Sequence, residues 1–304
     1  MITVPQNYLD PKDRAAASQD APAPGRTDLD PGLYLVATPI GNLRDITLRA
    51  LDVLGGADLV LAEDTRVSRK LFEAYGLRPK CAPYHEHNAK AKLPGVLKAL
   101  QEGAAIALIS DAGTPLISDP GFRLVRAAVE NGIAVHAIPG ANAALAALCV
   151  SGLPVDRFLF AGFLPAKPSA RIKALERLKT IPASLIFYES PARLKAALAD
   201  MAKVLGPRSA VLARELTKRF ETLVRAPLDQ LAALLPPDQC RGEMVLVVAP
   251  PDAGASWSET ELDVALEDAL SRLSLKSAVE EVAAMSGLPR RQVYRRALAL
   301  QGPS

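Results

Sequence analysis

Five short apolar runs recur between Leu33 and Ile138, at 33–37, 58–62, 80–84, 105–110 and 135–138. Helical patterns separate them at 47–54, 65–75, 88–101 and 121–130, and another follows at 141–150. The runs do not alternate apolar with polar residues, as expected of strands covered on both faces. Strand–helix alternation selects a mostly parallel sheet, because parallel neighbours need a crossover between them. Cap chemistry agrees with these divisions. Thr65 and Asp119 stand where helix N-caps are expected, Pro120 would open a helix, and Gly76 and Gly132 follow helix ends.

A second series begins near Phe158, with strand-like runs at 158–163, 184–188, 209–213, 221–225 and 244–249 and helical stretches at 170–180, 192–205 and 228–234. The run at 221–225 follows so soon after 209–213 that an antiparallel hairpin, and therefore a mixed sheet, is expected. Breaks fall at Ser151-Gly-Leu-Pro154 and across 250–256. Beyond the second break, helical segments at 259–273, 277–285 and 290–300, with Ser286-Gly-Leu-Pro289 between the last two, predict a helix-turn-helix-like end. The expected organisation is a disordered tail over 1–30, an α/β domain over 31–151, a second α/β domain over 152–250 and a helical domain over 257–304. A length of 304 residues accommodates two domains, and 49% apolar residues supply their cores.

The net charge of +3 does not by itself announce a nucleic-acid partner. Its distribution says more. Residues 271–304 hold six cations against two carboxylates, and 165–180 hold five against one. Cys81, Cys149 and Cys240 are scattered and outside any C-x-x-C spacing, which argues against a disulfide framework or zinc site and fits a reducing cytoplasm. No apolar run reaches the roughly 18–20 residues needed to span a bilayer, and the polar N-terminus does not resemble a secretory signal. A cytoplasmic protein without a membrane partner is expected.

In open parallel sheets, ligands bind outside the carboxyl ends of the strands. The segments there are Thr38-Pro-Ile-Gly-Asn-Leu-Arg-Asp45, Glu63-Asp-Thr-Arg66, His85-Glu-His-Asn88, the loop 110–121 and Pro139-Gly-Ala-Asn142. All five are polar or rich in glycine and proline. The loop Ser-Asp-Ala-Gly-Thr-Pro-Leu-Ile-Ser-Asp-Pro-Gly (110–121) is the strongest candidate crevice, since glycine permits close backbone approach and proline fixes the path. The chain contains neither G-x-G-x-x-G nor G-x-x-x-x-G-K-[ST], which disfavours a dinucleotide site or a P-loop. His85 and His87 flank Glu86, but no third ligand has suitable spacing, so no metal is expected. Glu63 to Arg66 reads either as helix capping or as a carboxylate and guanidinium placed to meet a sugar and a phosphate.

Taken in order, these blocks resemble the tetrapyrrole methylase superfamily and, within it, the bacterial branch acting on ribosomal RNA. The similarity runs from about Gly32 to Ala249. Besides the strand-end segments it includes Phe-Tyr-Glu-Ser-Pro-Ala-Arg (187–193), Ala-Arg-Glu-Leu-Thr-Lys (213–218) and Gly-Glu-Met-Val-Leu-Val-Val (242–248). The resemblance implies a two-domain α/β fold with a mostly parallel N-terminal sheet, a mixed C-terminal sheet and a small helical domain at the C-terminus. It implies S-adenosylmethionine (SAM) as cofactor, a homodimer, and 2′-O-methylation of a cytidine in the decoding region of 16S ribosomal RNA in the small ribosomal subunit. Cofactor positions carried over are Pro39, Asp111, Gly113, Thr114, Pro115, Ile117, Ser118, Ala141, Asn142, Tyr188, Ala213 and Gly242. Thr114 departs from the Gly-Asp-Pro common in the wider superfamily, and Ala192 stands where a histidine is common.

Methyl transfer to a ribose hydroxyl needs in-line positioning and a group that takes the hydroxyl proton. Candidates are Asp64, His85, Glu86 and His87, with His85 and Asp64 foremost. Arg44, Arg66, Lys167, Arg171, Arg290, Arg291 and Arg295 are candidate RNA contacts. Two alternatives stay open: a methyltransferase for a small tetrapyrrole, which has no use for the C-terminal helices, and a non-catalytic RNA-binding protein.

Overall fold

The computed structural model describes residues 28–234, 241–251, 257 and 259–301. The tail expected over 1–30, apart from 28–30, lies outside the described residues, as does most of the break at 250–256. The chain divides into two compact units, Met1–Ala147 with Arg214–Thr222, and Leu148–Ala213 with Leu223–Ser304.

The first unit runs β1 (Gly32–Val36), α1 (Leu48–Gly56), β2 (Leu59–Ala62), α2 (Thr65–Ala74), β3 (Cys81–Pro83), α3 (Glu86–Gln101), β4 (Ala105–Ile109), α4 (Phe122–Glu130) and β5 (Val135–Ile138), ending in the first half of α5 (Ala143–Ser151). The strand order is β3-β2-β4-β1-β5 and every pairing is parallel, with Leu33 opposite both Ile106 and Val135. Both faces are apolar, as the unalternating runs require. Tyr34, Val36, Val60, Ala107 and Ile109 pack into one layer, and Leu33, Leu61, Ile106, Leu108 and Leu124 into the other.

Helix starts differ from expectation in ways that matter to the site. The N-cap of α2 is Asp64, whose side chain accepts from the Arg66 N–H at 2.8 Å, and Thr65 is already helical. α4 begins at Phe122 behind Gly121, with no side-chain cap, so neither Asp119 nor Pro120 opens it. Leu116 and Ser118 both have positive φ, 72° and 70°, which keep the chain looped beyond the point where the sequence suggested a helix. α3 starts earlier than expected because the Asn88 side chain accepts from the His85 N–H at 3.0 Å, closing a turn around Glu86 and His87.

The second unit carries β6 (Phe158–Phe163), α6 (Pro168–Leu178), β7 (Ser184–Glu189), α7 (Pro191–Leu205), β8 (Ser209–Arg214), β9 (Thr222–Pro227), the one-turn α8 (Leu228–Leu231) and β10 (Met244–Val248). Its sheet has the order β6-β7-β10-β8-β9. β6 is parallel to β7 and β7 antiparallel to β10, giving the expected mixed sheet. α9 (Glu259–Arg272), α10 (Leu275–Ser286) and α11 (Arg290–Gln301) share an apolar core that includes Leu262, Leu266, Val279, Val282 and Val293. Gly287, at φ 67°, turns α10 into α11. Among the described residues, no helix is long and apolar enough to cross a membrane.

Candidate functional site

The carboxyl ends of β1, β4 and β5 meet in the first unit, and backbone bonds lace their loops together. Thr38 and Gly113 exchange N–H to carbonyl bonds of 2.9 and 3.0 Å, and the Thr38 hydroxyl donates to the Ser110 carbonyl at 3.1 Å. The Ser110 hydroxyl donates to the Gly113 carbonyl at 3.0 Å, and the Thr114 hydroxyl reaches the Ala141 carbonyl at 3.2 Å. Two glycines make this lacing possible. Gly113 has φ 86°, and a Cβ on Gly140 would fall 2.9 Å from the Ala37 Cβ. A crevice of about 180 Å³ opens here, lined by Thr38, Pro39, Gly41, Ser110 and Asp111 and, from α2, by Val67, Ser68, Lys70 and Leu71. That is below the roughly 300–1,000 Å³ of whole small-molecule sites, so it takes part of such a ligand.

Carboxylates dominate the electrostatics. Burial and the Glu63 charge push Asp119 up to about 7, and the two side chains are hydrogen-bonded. Burial and the neighbouring Asp111 raise Glu63, and burial raises Asp111. The Asp111 carboxylate accepts the Asp64 N–H at 2.9 Å, which ties the end of β2 into the cluster. In the sequence Asp119 reads as a helix cap within the candidate loop 110–121, not as a group that takes a proton. The missed signal was a second aspartate in a loop that already held Asp111.

The four proton-acceptor candidates fare differently. Asp64 caps α2 and is gripped by Arg66 through bonds of 3.0 and 2.6 Å, which hold its carboxyl down at about 2. At neutral pH it is a poor base. His85 lies close enough to Glu63 to influence it, but the Asn88 amide nitrogen sits 3.1 Å from Nε2. Since the Asn88 oxygen already accepts the His85 N–H, its nitrogen must donate, and the Nε2 lone pair is taken. Nδ1 then carries the proton and is buried without a partner among the described residues. Glu86 and His87 are exposed on the first turn of α3, and His87 meets the His85 ring edge-on at 6.0 Å.

Of the remaining cofactor positions, Ile117 is exposed beside the two strained residues, Pro115 is buried, and the Asn142 side chain accepts from the Leu145 N–H at 3.0 Å to start α5. Tyr188, Ala213 and Gly242 belong to the second unit. Tyr188 pairs with Val245, and the Ala249 N–H donates to the Ser209 carbonyl, so β8 runs antiparallel to β10. The three residues therefore share one end of that sheet. Ala192 is exposed on the first turn of α7. The segment Arg214–Thr222 packs with the first unit, where the Thr217 hydroxyl accepts the Asn42 N–H at 3.2 Å and Glu215 and Thr217 have positive φ of 51° and 65°. Thr217 was not singled out in the sequence, since only the long-range fold brings it to the 38–45 turn.

The candidate RNA contacts also divide. Arg44 is exposed, and the Arg66 side chain is 88% exposed despite its bond to Asp64. Lys167 is exposed ahead of α6. Arg171 is a correction: it is 4% exposed and locked to Asp200 at 2.6 Å and to the Ala166 carbonyl, so it offers nothing to a partner. In the helical domain Arg290 is exposed but paired with Glu280, whereas Arg291 and Arg295 are exposed around Tyr294. Arg296 is taken by Asp263 at 2.5 Å and Glu259 at 3.4 Å.

A model of the Tetrapyrrole (Corrin/Porphyrin) Methylases matches residues 32–232, and one of the RsmI C-terminal HTH domain matches 258–301. The chain is 51% identical over 281 residues to a Ribosomal RNA small subunit methyltransferase I of Mesorhizobium japonicum, covering 91% of this chain and 94% of the relative. The protein of the same name from Pseudomonas aeruginosa is 49% identical over 278 residues, covering 90% and 98%. Among solved structures, the methyltransferase CobJ aligns with a TM-score of 0.55 at 18% identity, over 75% of this chain and 96% of that one, a likeness of fold.

Proposed function

The chain belongs to the tetrapyrrole (corrin/porphyrin) methylase family, and on that premise we propose that it transfers a methyl group from SAM to 16S ribosomal RNA, at the 2′-hydroxyl of a cytidine in the decoding region. The observation that carries this reading is the carboxylate cluster at the strand ends. Burial raises Glu63, Asp111 and Asp119 alike, Asp111 adds to the rise at Glu63, and both Glu63 and Asp111 add to the rise at Asp119, so acidic groups gather at one place. Such a site repels phosphates and suits a cation. Bound there, SAM supplies a methyl group on a positively charged sulfur. The loop 110–121, with Pro39, Ala141 and Asn142, would hold it, and Gly113 and Gly140 let the strand-end loops that frame the crevice pack closely, since a Cβ would fall 3.3 Å from Ile40 and 2.9 Å from Ala37.

Asp119, hydrogen-bonded to Glu63, takes the hydroxyl proton. A carboxyl titrating near 7 is matched to that task at neutral pH, whereas Asp64 is too acidic and His85 has its free lone pair engaged. Arg44, Arg66 and Lys167 on the two units and Arg291 and Arg295 on α11 give exposed guanidinium and ammonium groups for phosphates. The protein works on the small ribosomal subunit in the cytoplasm, as a homodimer.

The test is methyl transfer from labelled SAM to unmodified 30S subunits, naked 16S RNA and a tetrapyrrole precursor. Label is expected in RNA, in a dinucleotide that resists alkaline cleavage because its 2′-hydroxyl is blocked. Label confined to the tetrapyrrole would sink the proposal.

A further inference from the structure

Away from the crevice, on the opposite face of α2, lies a cavity larger than the crevice. It measures about 700 Å³ and is walled by Thr65, Arg69 and Glu73 of α2 and by Arg78 and Pro79 of the following loop, over a floor that includes Phe72, Leu77 and Cys81. Thr65, Arg69, Phe72 and Glu73 stand at i, i+4, i+7 and i+8, one face of the helix, and Gly76 follows just past its end. Arg69 and Arg78 are exposed, and neither enters a hydrogen bond or ion pair among the described residues. The lining of the groove holds Arg69 and Arg78 against Glu73 alone, a local excess hidden by the near-neutral total.

We propose that this groove is an RNA-binding surface, in which Arg69 and Arg78 hold backbone phosphates of the strand that enters the reaction site. The inference rests on the rRNA methylation reading above and adds the path of the substrate to it. Three observations favour a polyanion over other occupants. The groove borders β3, the edge strand of its sheet, but that edge is only three residues long and ends in Pro83, which offers an added strand little to pair with. Pro83 has no N–H, and its carbonyl already accepts from Lys92 Nζ at 2.6 Å and Asn88 Nδ2 at 3.2 Å. A second copy meeting this face about a twofold axis would set one basic patch against another. The cations are unpaired and poised, unlike Arg171 and Arg296, which the fold itself consumes.

The placement also suits the chemistry. Val67, Ser68, Lys70 and Leu71 of α2 line the crevice, and its other face walls the groove, so one helix thickness of about 10 Å separates them. Arg66 stands exposed at the N-terminal end of that wall, beside Asp64 and the carboxylate cluster. A strand lying in the groove reaches the cluster by crossing that end.

The experiment uses the full chain and a fluorescein-labelled RNA oligomer spanning the substrate cytidine, with binding titrated across a salt series, alongside methylation of unmodified 30S subunits. In R69A/R78A the slope of log affinity against log salt is expected to flatten by about 1.4–1.8, two phosphate contacts at roughly 0.7–0.9 each. KM for 30S should rise while kcat and SAM affinity hold. E73R, which adds a cation to the same wall, should steepen the slope by about one contact. Both variants alter exposed side chains, and circular dichroism confirms the fold. An unchanged slope in both variants, with wild-type methylation intact, overturns the groove and leaves the function standing. A wild-type protein that methylates no RNA, yet binds it with a slope the variants change, overturns the function and keeps the groove. A double variant that breaks up a dimer in sedimentation without altering the slope assigns the face to a second copy and overturns the proposal.

Discussion

Replacing Asp119 by Asn should make the protein more stable and less active. In the folded chain Asp119 titrates at about 7 rather than 3.8, because burial and the Glu63 charge oppose its ionisation. Below 3.8 the carboxyl is protonated in both folded and unfolded chains and contributes no difference. Between 3.8 and about 7 it ionises only on unfolding, so wild-type stability falls as pH rises through this window and then levels off. At about 1.4 kcal/mol for each pH unit, the ceiling on that loss is about 4 kcal/mol. The group is half-buried, and solvent screening reduces this to about 1–2 kcal/mol. An Asn amide cannot ionise and still donates to Glu63, as the protonated acid does. Urea unfolding of both proteins from pH 5 to pH 8 reads the difference directly. The Asn variant should gain on the wild type up to about pH 7 and hold its advantage above it. Its kcat for RNA methylation should fall by about 10²–10⁴, the usual contribution of a proton acceptor. A stability difference that does not change with pH, or an undiminished kcat, would refute the reasoning.

Arg171→Ala should cost about 3–5 kcal/mol in urea unfolding, since it leaves the Asp200 carboxylate without its buried partner, yet RNA affinity of the folded protein should not change. Gly140→Ala forces a Cβ to 2.9 Å from the Ala37 Cβ, and should lower the unfolding free energy by about 1–3 kcal/mol and weaken SAM binding in calorimetry. Of two adjacent arginines, Arg295→Ala should weaken RNA binding and leave the thermal transition of the helical domain in place, whereas Arg296→Ala, which breaks the bonds to Asp263, should lower that transition.

The parallel and mixed sheets were legible because their cause is local: unalternating apolar runs between helices, and two runs too close for anything but a hairpin. The strand-end loops followed from the same pattern. Strand order did not, since nothing local sets β4 between β1 and β2. Asp119 is hard to read because Asp-Pro-Gly is ordinary helix-start chemistry, whereas in the fold Leu116 and Ser118 have positive φ, the loop runs on to Gly121, and the Asp119 carboxyl meets Glu63. Arg171 and Lys167 look alike in a basic run. The signal that separates them is Leu175, one turn beyond Arg171 on the buried side of α6. The return of Arg214–Thr222 to the first unit depends on contacts far apart in sequence, which periodicity cannot reveal.

The two-sided position of α2 has a thermodynamic consequence. A short helix of ten residues whose opposite faces line the crevice and the groove cannot shift for one ligand without altering the fit of the other. The two binding equilibria are then linked, and linkage is reciprocal: whatever factor RNA applies to the affinity for SAM, SAM must apply to the affinity for RNA. Calorimetry of each ligand with the other present and absent should return the same factor, and that factor should approach one in R69A/R78A. Cooperative binding in this protein would be a property of one wall shared by two rooms.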